Sequence, residues 1–315
     1  MNMEELKKKN EGVQDTDVVS EEIPTFANLT YDVGFKIVFG TEGKSENLLM
    51  RLLNSVLGMN IVSLEYLPTE RLGLSQEESR SSFDVYCRDN SGRRFVVEMQ
   101  MWSQHYYYKR AVFYSSRSVL AQCHLEKKYQ KEILKRSNWN YYFAPVYVIS
   151  FLNHPCSILE ANKYTANPYV AHYVYKDKDS GYELQDGTNL IFVSLYRFKK
   201  QLEECKDISE QWLYSIHNMH LLNQIPEGVL GTELEELYHE SRCAAWPAEI
   251  RELYEQQVMN ANDYGNIIEE SFENGQKAGQ ERRTNEIAQR MKYDGIAIEI
   301  ICKYTGLSVA EICAL

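Results

Sequence analysis

The stretch SSFDVYCRDNSGRRFVVEMQ, residues 81–100, decides the fold of this chain. Polar and apolar residues alternate in both of its arms, and a period of two predicts two β-strands. The residues between the arms favour a three-residue loop, Asn90-Ser91-Gly92, in which the glycine takes the left-handed conformation. In that register Asp89 pairs with Arg93, whereas a two-residue turn would shift the pairing by one residue.

The three-residue loop brings Asp84 directly opposite Glu98, with Gln100 on the same face of the hairpin. Two carboxylates that face each other across a strand pair lie about 5 Å apart and repel, so we expect a compensating charge. A divalent cation bound by oxygen ligands would supply it. A solvated polar face is the ordinary alternative, but Tyr86 and Val96 on the same face argue against free exposure to water. The opposite face is apolar and predicts core: Phe83, Val85, Cys87, Phe95, Val97 and Met99.

Composition and charge limit the kind of protein that this chain can be. Its 315 residues are 44% hydrophobic and 12% aromatic, which is enough for a substantial core. The formal net charge of −11 opposes a phosphate backbone, so a nucleic-acid site must be a local basic patch. The seven cysteines are widely spaced without a Cys-x-x-Cys pair, and the sequence lacks a signal-peptide stretch and an apolar run of membrane length. We therefore expect a reduced, cytoplasmic protein.

Changes of pattern along the chain predict four segments. Residues 1–24 form a flexible N-terminal arm, 25–200 a mixed α/β domain, 201–280 a helical region and 281–315 a small helical tail. Within the α/β domain the predicted order is helix, three strands, helix and strand, with a second β-hairpin after it. Its later elements are expected at 61–67 (strand), 103–128 (helix, with Ser103 as N-cap), 144–152 (strand), and 169–175 and 190–198 (hairpin).

Two helical elements precede the hairpin. The first spans residues 30–40, as a short helix or a turn, and is closed by Gly40. The second spans residues 45–58, where apolar residues recur every three to four positions and Gly58 is a stop signal. Glu46 lies on the apolar side of its first turn. A carboxylate at a helix N-terminus is favourable in itself, but Glu46 in this position would also point toward the sheet.

The C-terminal tail has the cadence of a helix-turn-helix. Thr305-Gly306-Leu307 is expected to form the turn, and Ser308 to cap the helix that follows. That last helix carries neither Arg nor Lys, so packing or self-association is favoured over base reading. Gly275 and Gly279 interrupt a polar helical segment before the tail and suggest a flexible joint.

These residues together resemble one family. The strings YDVGFK (31–36), VEMQ (97–100) and KRAVFY (109–114), the order of elements and the tail are similar to the PD-(D/E)XK nuclease superfamily. Within it the chain resembles the recombination-promoting nuclease and transposase group. The resemblance covers residues 28–152 well and the tail moderately, and it implies a restriction-endonuclease-like αβββαβ core.

The resemblance also implies roles for the site residues. Asp84, Glu98 and the backbone carbonyl of Met99 would hold Mg²⁺, or Mn²⁺ in its place, with Glu46 assisting. Gln100 stands where the superfamily usually has Lys; it can orient a water but brings no charge. Three cations are candidates for phosphate contacts: Arg110, which would supply the missing charge, and Lys36 and Lys109.

The implied function is a Mg²⁺-dependent DNA endonuclease that hydrolyses phosphodiester bonds and is linked to DNA recombination or a mobile element. The expected partner is double-stranded DNA, and a homodimer through the helical C-terminal region would suit a double-strand break. The alternative is a nuclease-fold protein with weak or no catalysis that binds DNA or other proteins. The net charge and Gln100 favour the alternative, whereas Asp84, Glu98 and Glu46 favour the enzyme.

Overall fold

A computed structural model describes residues 24–68, 83–104, 106–132, 141–164, 167–184 and 187–315. The predicted N-terminal arm, apart from its last residue, and the first two residues of the quoted hairpin lie outside these ranges. The chain divides into two compact units, one that ends at Arg251 and one that spans Glu252–Leu315. The division predicted at residues 200 and 280 stays a prediction.

The first unit is built on one six-stranded sheet with strand order β1-β2-β3-β4-β6-β5. Neighbours pair antiparallel from β1 to β3, parallel from β3 through β4 to β6, and antiparallel between β6 and β5. This mixed sheet confirms the predicted fold class, including the second hairpin. The strands are β1 Leu64–Tyr66, β2 Val85–Asp89, β3 Arg94–Gln100, β4 Val146–Leu152, β5 Val170–Tyr173 and β6 Thr188–Ser194.

The three-residue loop of the first hairpin is confirmed. The Asp89 amide donates to the Arg93 carbonyl at 3.1 Å, and Gly92 has the left-handed φ of 87°. The ladder then pairs Val85 with Val97. The same register places Asp84 across from Glu98, as the sequence predicts.

The helices of the described residues are α1 Asp32–Phe39, α2 Glu46–Leu57, α3 Tyr107–Glu132, α4 Ile208–Asn218, α5 Glu235–Glu240, α6 Ala248–Tyr293, α7 Ile298–Thr305 and α8 Val309–Ala314. Gly40 and Gly58 end the first two, as predicted. The start of α3 was wrong: the helix begins at Tyr107, not at Ser103. A separate turn, in which the Tyr107 amide donates to the Gln104 carbonyl, precedes it and leaves Ser103 outside the helix.

The sheet is covered on both faces. Even-numbered residues of β3 and β4 face α3, and there Val96, Val148 and Tyr107 belong to one buried apolar cluster. On the opposite face Phe35 of α1 packs against Phe151 of β4, with ring centroids 5.7 Å apart. The hairpin therefore lies inside a three-layer structure, and its carboxylate face meets α3.

Phe83 departs from its predicted position on the face of Val85. Its ring packs with Tyr86 and Tyr114, at centroid distances of 5.3 and 5.0 Å, in the cluster under α3. The regular ladder with β3 ends at Val85. Since alternation holds only within a regular strand, the residue two positions before the end no longer follows it.

The second unit contains α6 from Glu252 onward, together with α7 and α8. Ala288, Ile301 and Ile312, one from each helix, form its buried core. The turn at residues 305–307 lies where the sequence predicts it, and Ser308 caps α8 in a reciprocal capping box with Glu311. The unit is thus a small three-helix arrangement.

The flexible joint predicted at Gly275 and Gly279 was wrong, because both glycines lie inside the continuous 46-residue helix α6. A glycine lowers helix stability by about 1 kcal/mol but does not break a helix whose other residues favour it. Within the described residues, no helix is both long and apolar enough to cross a membrane.

Candidate active site

The regular ladder between β2 and β3 ends at Val85, so the hairpin opens at Asp84 and the Asp84 carboxylate can reach the β3 backbone. Oδ2 of Asp84 accepts a hydrogen bond from the Met99 amide at 2.8 Å, and the Asp84 amide donates to Oε1 of Glu98 at 3.4 Å. A side chain thus binds the β3 backbone just beyond the last ladder pair. Asp84 is 9% exposed and Glu98 is fully buried, so the two facing carboxylates lie largely out of water.

Each carboxylate has a cation from a different helix. Nζ of Lys36, on α1, lies 3.3 Å from Oδ1 of Asp84, and Nη2 of Arg110, on α3, lies 3.2 Å from Oε2 of Glu98. Both cations stay about one-third exposed at their side chains. They therefore neutralise the carboxylates from the solvent side and can still reach a ligand there.

Burial dominates the titration of this pair. It raises the pKa of Asp84, an effect that Lys36 and the Met99 amide only partly offset. Burial and then the charge of Asp84 raise the pKa of Glu98 to about 8, against the opposing effect of Arg110. Two negative charges on this pair are therefore unfavourable, and binding of a proton or another cation is favoured.

Gln100 lies at the bottom of the same face and is 8% exposed. Its Nε2 donates to the Met99 carbonyl at 2.9 Å and approaches Oε2 of Glu98 at 3.4 Å. The amide thus contacts two oxygens that the sequence proposes as metal ligands.

Arg110 is held in place by three acceptors and two rings. Besides Glu98, its guanidinium donates from Nε to the Tyr114 hydroxyl at 2.5 Å and from Nη1 to Oε1 of Gln104 at 2.8 Å. Its centre lies 5.1 and 5.8 Å from the ring centroids of Tyr114 and Tyr107. A planar fork with this many partners has a fixed orientation.

The other predicted residues lie at varying distances from this centre. The Glu46 carboxylate accepts a hydrogen bond from the Gly43 amide at 2.5 Å, and after burial and Cys87 its charge contributes to the raised pKa of Tyr66. Apart from Asp84 and Glu98 themselves, the charged side chains that most affect the pKa values of this pair are Lys36, Arg110 and Asp32. Lys109 lies over the Tyr106 ring, 4.9 Å from its centroid.

Asp32 was missed as a neighbour of Asp84. It begins α1, four residues before Lys36, so both side chains lie on one side of that helix. The i, i+4 spacing in the string YDVGFK was the signal that could have found it.

The comparison with known families decides the classification. The sequence model of the PD-(D/E)XK nuclease family transposases matches residues 29–271. The chain belongs to this family. The match includes both facing carboxylates, Gln100 and both counter-cations, and it confirms the family that the sequence resembles. No curated protein and no solved structure is significantly similar to the chain.

Proposed function

We propose that this PD-(D/E)XK family protein is a Mg²⁺-dependent DNA endonuclease linked to DNA recombination or a mobile element. One observation carries the proposal: two buried carboxylates, Asp84 and Glu98, face each other where the hairpin opens, each beside a cation that is about one-third exposed. Like charges buried together are costly. A ligand that needs both carboxylates would explain why they lie together where the hairpin opens.

The donor set suits magnesium. No group of three or more His, Cys, Asp or Glu side chains able to hold a metal lies within the described residues. Mg²⁺, however, commonly keeps several waters and takes only one or two carboxylates from the protein. Asp84, Glu98 and the Met99 carbonyl would hold it, with Glu46 as a further candidate through a water. When bound, the ion supplies Lewis acidity toward the phosphate and toward water.

The chain's own residues would do the rest. The Gln100 amide orients a water for in-line attack. The water oxygen bonds to phosphorus and releases a proton to solvent; the P–O3′ bond breaks, and O3′ takes up a proton from solvent, which leaves a 3′-hydroxyl and a 5′-phosphate. Arg110 and Lys36, once released from the carboxylates, donate to the phosphate oxygens and stabilise the charge that develops there. Lys109 contributes a more distant contact to the backbone.

Plasmid cleavage tests this proposal. Purified wild-type protein is incubated with supercoiled plasmid and Mg²⁺, beside the variants Asp84→Ala and Glu98→Ala. We expect nicked or linear product from the wild type, no product from either variant, and none with chelator. Identical plasmid patterns from all three proteins would reject the nuclease. Salt-dependent DNA binding without cleavage would support the alternative, a binding module on a nuclease fold.

We also propose a homodimer through α6. This helix exposes several large apolar side chains, among them Ile267 at 59% and Phe272 at 71%. Its residues 249–273 carry seven acids and one base, while 277–292 carry five bases and two acids. This charge reversal favours a second copy in antiparallel orientation. Sedimentation equilibrium of the full chain should give a dimer, and Phe272→Glu a monomer; a monomeric wild type would contradict the idea.

A further inference from the structure

Helix α3 is the local basic patch that an acidic nucleic-acid enzyme requires. It contains six basic and two acidic residues, a net charge of +4, in a chain whose net charge is −11. Its first turns lie against the candidate active site, because Arg110 binds Glu98. A phosphate backbone that approaches Glu98 would therefore meet favourable charge along this helix.

The same helix exposes apolar side chains along the side that begins at Arg110. Tyr106, the residue before α3, and Phe113 and Leu120 within it are 61%, 53% and 43% exposed, and their spacing of seven residues places them on one face. Arg110 lies between the first two, so the row starts at the candidate active site. The 14 residue-to-residue steps from Tyr106 to Leu120 correspond to a helical rise of about 21 Å. We call Tyr106, Phe113 and Leu120 the α3 stripe.

Cations accompany the rings of the stripe. Nζ of Lys109 lies 4.9 Å from the Tyr106 ring centroid and 5.9 Å from that of Tyr108. The guanidinium of Arg117, which is buried, lies 5.5 Å from the Phe113 centroid, so Lys109 and the one-third exposed Arg110 are the cations beside the stripe that a phosphate can reach. Protein-binding surfaces concentrate apolar groups and exclude lysine. Aromatic rings interleaved with cations instead match a chain that alternates flat bases with phosphates.

We propose that the α3 stripe binds the unpaired bases of a single-stranded DNA segment and leads its backbone to Asp84 and Glu98. The proposal rests on the nuclease function only in taking DNA as the substrate. Bases in a continuous duplex are stacked on each other and hide their faces, whereas unpaired bases offer them to Tyr106 and Phe113. We therefore expect DNA with an unpaired region, such as an overhang, a flap or a displaced strand, to be bound more tightly than continuous duplex.

Equilibrium binding tests the stripe without cleavage. Fluorescence anisotropy is recorded at fixed salt and with chelator, using a fluorescein-labelled 20-nucleotide oligo(dT) and a labelled 20-base-pair duplex. We expect the wild type to bind the single strand more tightly. Tyr106→Ala and Phe113→Ala should each weaken that binding by about fivefold or more, the loss typical of one stacked base.

Leu125→Ala and Tyr129→Ala are the matched controls, since both side chains are exposed on α3 away from the stripe. They should bind like the wild type. Equal affinity for both DNAs, or equal losses in stripe and control variants, would overturn the proposal. Plasmid cleavage without a preference for binding single strands would reject the role of the α3 stripe but leave the nuclease proposal standing. Single-strand binding through the stripe without any cleavage would support the stripe and reject the nuclease.

Discussion

The Asp84 amide donates to the Glu98 carboxylate, while the Asp84 carboxylate accepts from the amide of Met99, the residue after Glu98. This reciprocal contact replaces the ladder pair that would otherwise follow Val85. It holds two acidic side chains together at the end of a hairpin in spite of their repulsion. The closeness of these two acidic groups determines how pH and substitutions should affect the protein.

Stability without metal should fall as pH rises. Because the pKa of Glu98 is raised from its ordinary 4.5 to about 8, the folded state binds more protons than the unfolded state between these values. Stability that is present below pH 4.5 is therefore lost progressively toward pH 8, and the raised pKa of Asp84 acts in the same direction. Glu98→Gln should flatten this slope and stabilise the protein at pH 8.

The measurement is the urea midpoint between pH 5 and 8.5 in chelating buffer. Glu203→Gln, at an exposed position, is the control and should keep the wild-type slope. If the urea midpoint of Glu98→Gln falls with pH as steeply as that of the wild type, the pH dependence of stability does not come from this pair.

Arg110→Met should slow cleavage strongly while the helix stays packed. Methionine retains much of the apolar stem beside Tyr107 and Tyr114 but removes the charge that we assign to the phosphate. Loss of one preorganised donor at a developing charge typically costs about 100-fold in rate. Single-turnover cleavage rates of Arg110→Met and of Lys178→Met, an exposed cation outside α3, should differ by about that factor; similar rates would contradict the role assigned to Arg110.

Gln100→Lys should raise the single-turnover rate by roughly tenfold. Lysine is the residue that the resemblance to the PD-(D/E)XK superfamily implies at this position. Its ammonium group can donate where Nε2 now donates, and it adds the charge that glutamine lacks. Gln100→Met, of similar size and without donors, is the control and should cleave more slowly than the wild type. A Gln100→Lys rate equal to or below the wild-type rate would mean that Arg110 already meets the need for charge.

Gly279→Ala should stabilise α6, because the glycine is helical and an added Cβ meets nothing within 4 Å. The gain is about 0.5–1 kcal/mol in local stability. Slower amide hydrogen exchange across residues 275–285 would show it. Gly306→Ala is the contrasting variant, since its φ of 75° makes alanine unfavourable and should speed exchange in α7. Faster exchange around Gly279→Ala would instead support a joint there.

The sequence predicted the features that neighbouring residues determine, above all the register of the first hairpin. The loop residues and Gly92 determine the hairpin register, and that register alone places Asp84 opposite Glu98. The sequence could not predict where the ladder ends, because a side chain competes there with backbone for the Met99 amide. Nor could it place the Lys36–Asp84 ion pair or the Asp32 neighbour, which depend on how α1 docks onto the sheet.

We infer that Asp84 and Glu98 together bind a divalent metal. Mn²⁺ binding, followed by electron paramagnetic resonance in a titration of the full chain with short duplex DNA present, tests it most directly. We predict a site in the wild type that competes with Mg²⁺ and is lost in both Asp84→Asn and Glu98→Gln. Wild-type protein that binds no Mn²⁺, or either variant binding it like the wild type, would contradict the claim.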